Sequence, residues 1–194
     1  MARSKEFNES EVLDKAMMLF WEQGYEKTSM TELVDHMGIH RRSLYDTFGD
    51  KHRLFLKAMQ RYEDKIGAAL NSGIKRSKTA TEALQFCFDF MIRLHVDEDL
   101  PSGCLTVNSA VELATRDSEV DAKSTQAFTS SEQKLKEIIF WGQQNDEFTS
   151  EYEAEDLAEY LHNVLIGIRV MSRTSVPKEK LQRLAKISMK FIAK

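Results

Sequence analysis

Hydrophobic residues recur at steps of three and four along most of the chain, which is the spacing of the buried face of an α-helix. This pattern predicts nine helices, over residues 8–23, 29–38, 40–48, 51–71, 79–95, 103–114, 119–144, 154–172 and 177–192. Residues 72–78 contain a glycine and three basic residues and are predicted to form a loop. Because the 194 residues include only 8 glycines and 2 prolines, few segments are interrupted, and we predict an all-α fold.

Two short helices are predicted on either side of Gly38, which can take the left-handed conformation that ends the first of them. Ser29 and Glu32 have the spacing of a capping box at the start of that first helix. In the second helix, Leu44 and Phe48 lie four residues apart and are predicted to face inward. The outward positions of the second helix are then Arg41, Arg42, Ser43, Tyr45 and Thr47.

This outward face has the chemistry that suits a DNA major groove. An α-helix fits the width of the groove, and guanidinium and hydroxyl groups bind phosphates and base edges. The formal net charge of -4 argues against non-specific coating of nucleic acid. Residues 40–57 are nevertheless net positive, since they include five lysines or arginines and two aspartates. We therefore expect DNA contact through this local patch.

The overall composition narrows the class of protein further. Hydrophobic residues make up 42% of the chain and charged residues 30%, as is typical of a soluble globular protein. The two cysteines, Cys87 and Cys104, lack the paired spacing of a zinc ribbon or a disulfide framework. There is no apolar run of 18 residues and no segment that resembles a signal peptide. We expect a cytoplasmic protein without a membrane segment, a metal ion or a cofactor.

Residues 9–57 resemble the N-terminal DNA-binding domain of the TetR (tetracycline-repressor) family of bacterial regulators. The residues that carry this resemblance are Ala16, Leu19, Phe20, Gly24, Tyr25, Thr28, Ser29, Met30, Leu33, Gly38, Ile39, Ser43, Leu44, Tyr45, Phe48, Lys51 and Leu54. A second, weaker resemblance is to a mid-domain helix in one branch of the family, and it rests on Gly103, Cys104, Leu105, Asn108, Glu112 and Leu113.

The resemblance implies two domains. Residues 1–50 would form a three-helix helix-turn-helix domain, and residues 51–194 a larger helical domain that binds an effector and dimerises. The helix that begins at Lys51 would connect them. In this family the last two helices form the dimer interface. Their apolar positions in this chain, which we expect there, are Leu157, Leu161, Val164, Leu165, Ile168, Leu181, Leu184, Ser188 and Phe191.

The candidate DNA contacts lie at the helix-turn-helix and just after it. Arg41 and Arg42 are expected at base edges or phosphates, and helix N-termini favour phosphate binding. The full set of candidates is Thr28, Ser29, His40, Arg41, Arg42, Ser43, Tyr45, Thr47 and Lys51. The chain departs from the family's usual residues at His40, Arg42 and Asp46, and these departures bear on the operator sequence rather than on the fold.

Aromatic and apolar residues of the larger helical region are candidates for an effector pocket, with ordinary core packing as the alternative role. The candidates are Tyr62, Phe86, Phe90, Met91, Cys104, Glu112, Phe128 and Trp141. Cys104 also lies near a predicted helix N-terminus, which favours the reactive thiolate. A thiol that senses oxidants or electrophiles is therefore a second hypothesis for this residue.

Taken together, these patterns predict a ligand-responsive transcriptional repressor that binds a near-palindromic operator as a homodimer. The alternatives are a regulator that senses through Cys104, an activator, and an all-helical small-molecule-binding protein or enzyme. The sequence has no glycine-rich phosphate loop, no His-Glu-x-x-His motif and no recognisable nucleophile–base spacing. We therefore expect that the protein is not an enzyme.

Overall fold

The computed structural model describes residues 7–97 and 99–194, without the side chains of residues 95 and 96. Across these ranges the chain forms nine α-helices, and the prediction of an all-α fold is confirmed. The helices are α1 Glu9–Gln23, α2 Met30–Met37, α3 Arg41–Phe48, α4 Lys51–Arg76, α5 Ala80–Val96, α6 Leu105–Leu113, α7 Ser118–Gln144, α8 Ala154–Met171 and α9 Lys178–Ile192. The β-structure within the same ranges is one isolated antiparallel bridge between Phe148 and Ala193.

Local capping signals set the ends of the N-terminal helices. The Asn8 side chain accepts the backbone N–H groups of Ser10 and Glu11 at the start of α1. The capping box predicted for α2 is present, because the Ser29 hydroxyl accepts the N–H of Glu32 and the Glu32 carboxylate accepts the N–H of Ser29. Gly38 ends α2 at φ 70° and ψ 33°, the left-handed conformation expected there.

The connecting helix α4 is longer than the sequence pattern predicts. The predicted loop at residues 72–78 is wrong for residues 72–76, which continue α4. Gly73 is a buried helical residue, and a Cβ atom at this position would lie 2.0 Å from the ring of Phe86. Glycine here therefore serves close packing between α4 and α5 rather than the end of a helix.

Two buried clusters form the interior. In the first, α1, α2 and α3 pack around Phe20, Leu33 and Leu44, and α4 contributes Phe55. Helix α6 joins this same cluster through three apolar side chains, which are Leu105, Val107 and Leu113. The N-terminal helices are thus packed against α4 and α6 and have no apolar core that is separate from them.

The second cluster holds the helices of the C-terminal half. Helices α5, α7, α8 and α9 pack around Phe88, Ile139, Leu161 and Leu181. Ile66, near the middle of α4, packs against both clusters. One continuous helix therefore contacts both interiors.

The packing of Phe86 on Gly73 predicts opposite effects of the same substitution at two sites of α4. Gly73→Ala is expected to lower the free energy of unfolding by about 1–2 kcal/mol, because the ring must leave its place. Gly67→Ala is the matched control, since the nearest group is the flexible end of Lys134, at 3.7 Å. It is expected to raise the free energy of unfolding by about 0.5–1 kcal/mol through helix propensity.

Urea denaturation followed by circular dichroism measures both changes. Equal stabilisation by the two substitutions would contradict the packing of Phe86 on Gly73.

Candidate DNA-binding surface, cavity and dimer face

Helix α3 presents a cationic and aromatic face to solvent. Leu44 and Phe48 are buried and fix the helix on the first cluster. Arg41, Arg42 and Tyr45 lie on the opposite side and are exposed, with 44% of Tyr45 accessible. A short helix that is held by its apolar side and exposes guanidinium and phenol groups is able to enter a major groove.

The charged groups of this face are largely free to bind another molecule. The Arg41 guanidinium lies 6.0 Å from the centroid of the Tyr45 ring. Arg42 Nε lies 3.7 Å from Asp46 Oδ2, with side-chain exposures of 92% and 70%. Such a solvated pair contributes about 0–1 kcal/mol, so a phosphate or a base edge can compete for the guanidinium.

The flanking candidates differ in accessibility. His40 is the exposed N-cap of α3 and forms no side-chain capping bond, while Ser43 and Thr47 are half-buried. Lys51 Nζ lies 4.2 Å from the centroid of the Tyr25 ring, and burial lowers the pKa of this lysine. Ser29 is exposed, although its hydroxyl and its N–H both take part in the capping box.

The structure does not allow the phosphate contact predicted for Thr28. This residue is 0% exposed, and its hydroxyl donates to the carbonyl oxygen of Gly24 at 2.6 Å. Thr28 therefore stabilises the turn between α1 and α2. A pattern match alone did not distinguish a phosphate ligand from a hydroxyl that stabilises the turn.

Glu112 of α6 holds the turn that follows α1. Its carboxylate oxygens accept the backbone N–H groups of Tyr25 at 3.0 Å and Glu26 at 2.8 Å. Hydrogen bonds from N–H groups to a carboxylate are stronger than those between neutral groups. The prediction that Glu112 lines an effector pocket is thus wrong, because both of its oxygens accept hydrogen bonds from the turn between α1 and α2.

Two further polar contacts join elements that are distant in sequence. His52 Nε2 lies 2.7 Å from Asp117 Oδ2, which joins the start of α4 to the start of α7. Arg173, after α8, donates to the carbonyl oxygens of Trp21 and Glu22 at the end of α1. Polar contacts between residues so distant in sequence lie beyond what helical periodicity predicts.

A cavity lies between α4, α6, α7 and α8. It consists of two adjoining spaces that share Glu63, Thr106 and Lys134 in their linings: the more open one, of about 200 Å³, is its outer part, and the other, of about 60 Å³, is its inner part. Four of the predicted pocket residues, Tyr62, Met91, Cys104 and Phe128, line the inner part. Half of the eight residues that were predicted for the effector pocket therefore line the same cavity.

The other predicted aromatic residues do not line this cavity. Phe86 and Phe90 stack on each other with ring centroids 5.8 Å apart, and the Phe86 ring covers Gly73. Trp141 packs against the second buried cluster. For these three residues the structure favours the alternative role of core packing, since their rings pack against neighbouring residues and do not line the cavity.

Polar cavity residues that the sequence pattern missed come from α4, α6, α7 and α8. They include Glu63, Thr106, Lys134 and Arg169, and the Thr106 hydroxyl donates to the Glu63 carboxylate. Burial and the neighbouring Cys104 thiol hold the pKa of the Tyr62 phenol well above its usual value, so this group remains a neutral O–H donor. The one sequence signal was the interruption of the apolar face of α4 by Glu63.

The residues predicted for the dimer interface mostly face the interior of the protomer. Six of the nine are buried within one chain and have no surface left to cover, so their assignment is wrong: Leu157, Leu161, Leu165, Ile168, Leu181 and Ser188. Val164 and Leu184 are half-buried, and Phe191 is exposed.

Other side chains supply exposed apolar surface on α8 and α9, and several of them lie close together. Ile187 is 63% exposed, Phe191 50% and Tyr160 45%. Tyr160 lies 5.1 Å from Phe191 between ring centroids, and Tyr152 lies 6.2 Å from the same ring. These four side chains, of which Tyr152 lies just before α8, form the apolar face of α8 and α9. Exposed aromatic clusters of this kind commonly mark protein interfaces.

Two features of the described residues bear on other kinds of partner. None of their helices is both long and apolar enough to span a membrane. The same residues contain no group of three or more histidine, cysteine or acidic side chains placed to hold a metal ion.

Comparisons with known proteins agree with this architecture. Residues 12–58 match a family model described as bacterial regulatory proteins, tetR family. Residues 80–187 match a second model, described as the tetracyclin repressor-like C-terminal domain.

Full-length relatives carry related descriptions. An uncharacterized HTH-type transcriptional regulator of Bacillus subtilis, YezE, is 29% identical, with 99% of this chain and 100% of the relative aligned. The HTH-type transcriptional repressor ComR of Escherichia coli is 28% identical over 97% of this chain and 90% of the relative. A solved structure of a cysteine-substituted TetR family regulator, CifR, complexed with 26 bp operator DNA and with its apo form, has a TM-score of 0.88. It is 26% identical, with 97% of this chain and 98% of that chain covered.

The Glu112 contacts predict a specific loss of stability. Glu112→Ala is expected to lower the free energy of unfolding by about 1–3 kcal/mol, because two N–H groups lose a charged acceptor. The control Glu151→Ala removes an exposed carboxylate and is expected to change the free energy of unfolding by less than about 0.5 kcal/mol. Denaturant unfolding measures both, and equal effects would show that the Glu112 contacts contribute nothing specific.

Proposed function

Because the chain belongs to the TetR family of DNA-binding transcriptional regulators, we propose that it is a ligand-responsive repressor. In this proposal it binds a near-palindromic operator as a homodimer. A small-molecule effector that occupies the cavity between α4, α6, α7 and α8 releases it from the operator. No enzymatic activity is part of the proposal.

The single observation that carries DNA recognition is the exposed face of α3. Arg41 and Arg42 supply guanidinium groups, and Tyr45 supplies a phenol, on a helix whose apolar side is fixed by Leu44 and Phe48. An arginine that binds a guanine with two hydrogen bonds discriminates by about 1–3 kcal/mol. The relative described as a repressor and the operator complex of a similar regulator support this role.

Dimerisation through the apolar face of α8 and α9 would place two α3 helices on one duplex. The face consists of Tyr152, Tyr160, Ile187 and Phe191. Pairing with a symmetry-related copy would bury it in a four-helix bundle. Two recognition helices engage one side of B-DNA when they lie about 34–36 Å apart, or a multiple of that distance.

The route from the cavity to the DNA-binding helices runs through α4 and α6. Tyr62 and Glu63 of α4 line the cavity, and so do Cys104 and Thr106 at the start of α6. The other end of α6 holds the turn after α1 through Glu112. A ligand that shifts α6 or α4 would therefore change the position of α3, and a coupling of about 1–3 kcal/mol is enough for regulation.

The alternative of a sensor based on Cys104 places its thiol in the same cavity, beside Tyr62. Oxidation of cysteine follows exposure of the thiolate, and Cys104 is only 5% exposed. This burial favours reversible ligand binding over direct oxidation. An all-helical enzyme is a weaker alternative, because the family consists of regulators.

Operator binding is tested by mobility-shift titration against the DNA upstream of the protein's own gene. We expect specific binding, and we expect the logarithm of the binding constant to fall steeply and linearly with the logarithm of salt concentration. Equal affinity for unrelated DNA would count against a regulator.

The double substitution Arg41→Ala with Tyr45→Phe is expected to reduce operator affinity at least about 10-fold while leaving helicity unchanged. Arg76→Ala, which removes an exposed guanidinium at the far end of α4, is the matched control and should bind normally. If the double variant also binds normally, Arg41 and Tyr45 do not contact the operator.

Dimerisation is tested with Ile187→Glu combined with Phe191→Glu. Two carboxylates in the apolar face of α8 and α9 are expected to shift the protein to a monomer in sedimentation experiments, because their burial without a partner is costly. Val111→Glu is the control, since Val111 is an 82% exposed apolar residue on α6. A dimer that persists in the double variant would place the interface elsewhere.

A further inference from the structure

The cavity between α4, α6, α7 and α8 carries more positive than negative side chains. Its two parts are lined by three cationic residues, Lys123, Lys134 and Arg169, and by two carboxylates, Glu63 and Asp64. The inner part alone is lined by Lys134, Arg169 and Glu63. The inner lining therefore has one positive charge in excess.

Lys134 and Arg169 form no ion pair with a carboxylate of the described residues. Arg169 is half-buried, and its Nε atom is buried without a hydrogen-bond partner among those residues. An unpaired guanidinium that has lost part of its water is destabilising, and a buried polar atom without a partner calls for an explanation, such as a bound water, an ion or a functional role.

The carboxylates of the lining are already engaged with neutral donors. The Thr106 hydroxyl donates to Glu63, and the side-chain amide of Gln60 donates to Asp64 at 3.0 Å. Because neither acid pairs with Lys134 or Arg169, the two cations keep their capacity to bind an anion from outside the chain.

Next to these cations the inner part has apolar side chains as well as the hydroxyl groups of Thr106, Ser130 and Ser131. Ile66, Leu70, Met91 and Phe128 line it together with the neutral hydroxyl of Tyr62. Lys134 reaches across to α4, since a Cβ atom at Gly67 would lie 3.7 Å from its Nζ. A ligand that matches this lining has an anionic head and an apolar body.

We propose that the effector is a small organic carboxylate, which Lys134 and Arg169 bind by its anionic group while its apolar body contacts Ile66, Leu70, Met91 and Phe128. This inference rests on the proposed ligand-responsive function and specifies the chemical class of the ligand. The two volumes, about 200 and about 60 Å³, lie below the roughly 300–1,000 Å³ of most drug-sized sites. The ligand is accordingly small.

Such a carboxylate would join helices that contact the DNA-binding half. Lys134 belongs to α7 and Arg169 to α8, while Tyr62 lies on α4 and Thr106 on α6. New charge-assisted hydrogen bonds would join α7 to α8, and the apolar body would contact α4 through Ile66 and Leu70, so the relative positions of these helices would change. Because α6 carries Glu112 at its other end, the change would reach the turn that precedes α2.

The test uses the full-length protein without DNA and measures the shift of its thermal midpoint with paired probes. The probes are benzoate and hexanoate, their uncharged counterparts benzamide and hexanamide, and inorganic phosphate as an anion without an apolar body. Binding to the folded state stabilises it by RT ln(1 + [L]/Kd), so the midpoint rises with the logarithm of ligand concentration once that concentration exceeds Kd. We expect stabilisation by at least one carboxylate, and much less by its amide or by phosphate.

Variants then locate the site. Arg169→Gln and Lys134→Gln are each expected to weaken carboxylate binding about 10-fold or more. Arg169→Lys keeps the positive charge and should therefore retain part of the affinity for the carboxylate. Lys75→Gln removes an exposed lysine near the end of α4 and should bind like the parent. Circular dichroism of each variant shows that an observed loss does not come from unfolding.

Several results would overturn the proposal. Equal stabilisation by carboxylates and amides would remove the need for an anion, and equal stabilisation by phosphate would leave a general anion site only. Unchanged binding in both glutamine variants would place the ligand elsewhere, and stabilisation by none of the probes would exclude small carboxylates of these two shapes as the ligand class.

The operator complex provides a separate readout. A carboxylate that binds through Arg169 and also releases operator DNA supports both proposals. Binding that leaves the operator complex intact overturns the effector role of the carboxylate. Failure of operator binding without any ligand counts only against the repressor proposal, because carboxylate binding is measured in the absence of DNA.

Discussion

The structure depends on α4 remaining one unbroken helix from Lys51 to Arg76. At about 1.5 Å per residue, its 26 residues span about 39 Å. Phe55 belongs to the cluster that fixes the DNA-binding helices, and Leu70 packs against the cluster of the C-terminal half. Because a helix transmits displacement along its axis far better than a loop does, this element links the two interiors mechanically.

The polar contacts around α6 supplement this apolar connection. Glu112 holds two N–H groups of the turn after α1, and Arg173 holds two carbonyl oxygens at the end of α1. Hydrogen bonds are directional, so these contacts fix the orientation of the DNA-binding helices more closely than apolar packing does. The cavity lies at the start of α6, through Cys104 and Thr106. The cavity and the contact that holds the turn after α1 thereby lie at the two ends of one short helix, which is a simple arrangement for coupling the ligand binding that we propose to DNA binding.

The unpaired cations of the cavity add a chemical preference to this arrangement. A core that served stability alone would favour apolar side chains in place of Arg169, because an unpaired charge that has lost water is destabilising. Its presence beside Lys134 and four apolar side chains suits a molecule with one anionic end. The same cavity holds Cys104, so reversible binding and thiol chemistry would compete for one space.

The sequence by itself determined the helices and the recognition surface, because both depend on residues close together along the chain. Periodicity predicted every helix, and capping at Ser29 with the glycine at Gly38 predicted the two-helix unit that exposes Arg41 and Tyr45. Only the tertiary structure decided which side of α8 and α9 stays exposed, that Gly73 continues a helix beneath Phe86, and that Glu112 holds the turn after α1. It also decided that Thr28 faces inward and that Lys134 and Arg169 meet in one cavity. Each of these features depends on a neighbour that is distant in sequence, and a helical pattern distinguishes an apolar face from a polar one without identifying what packs against either.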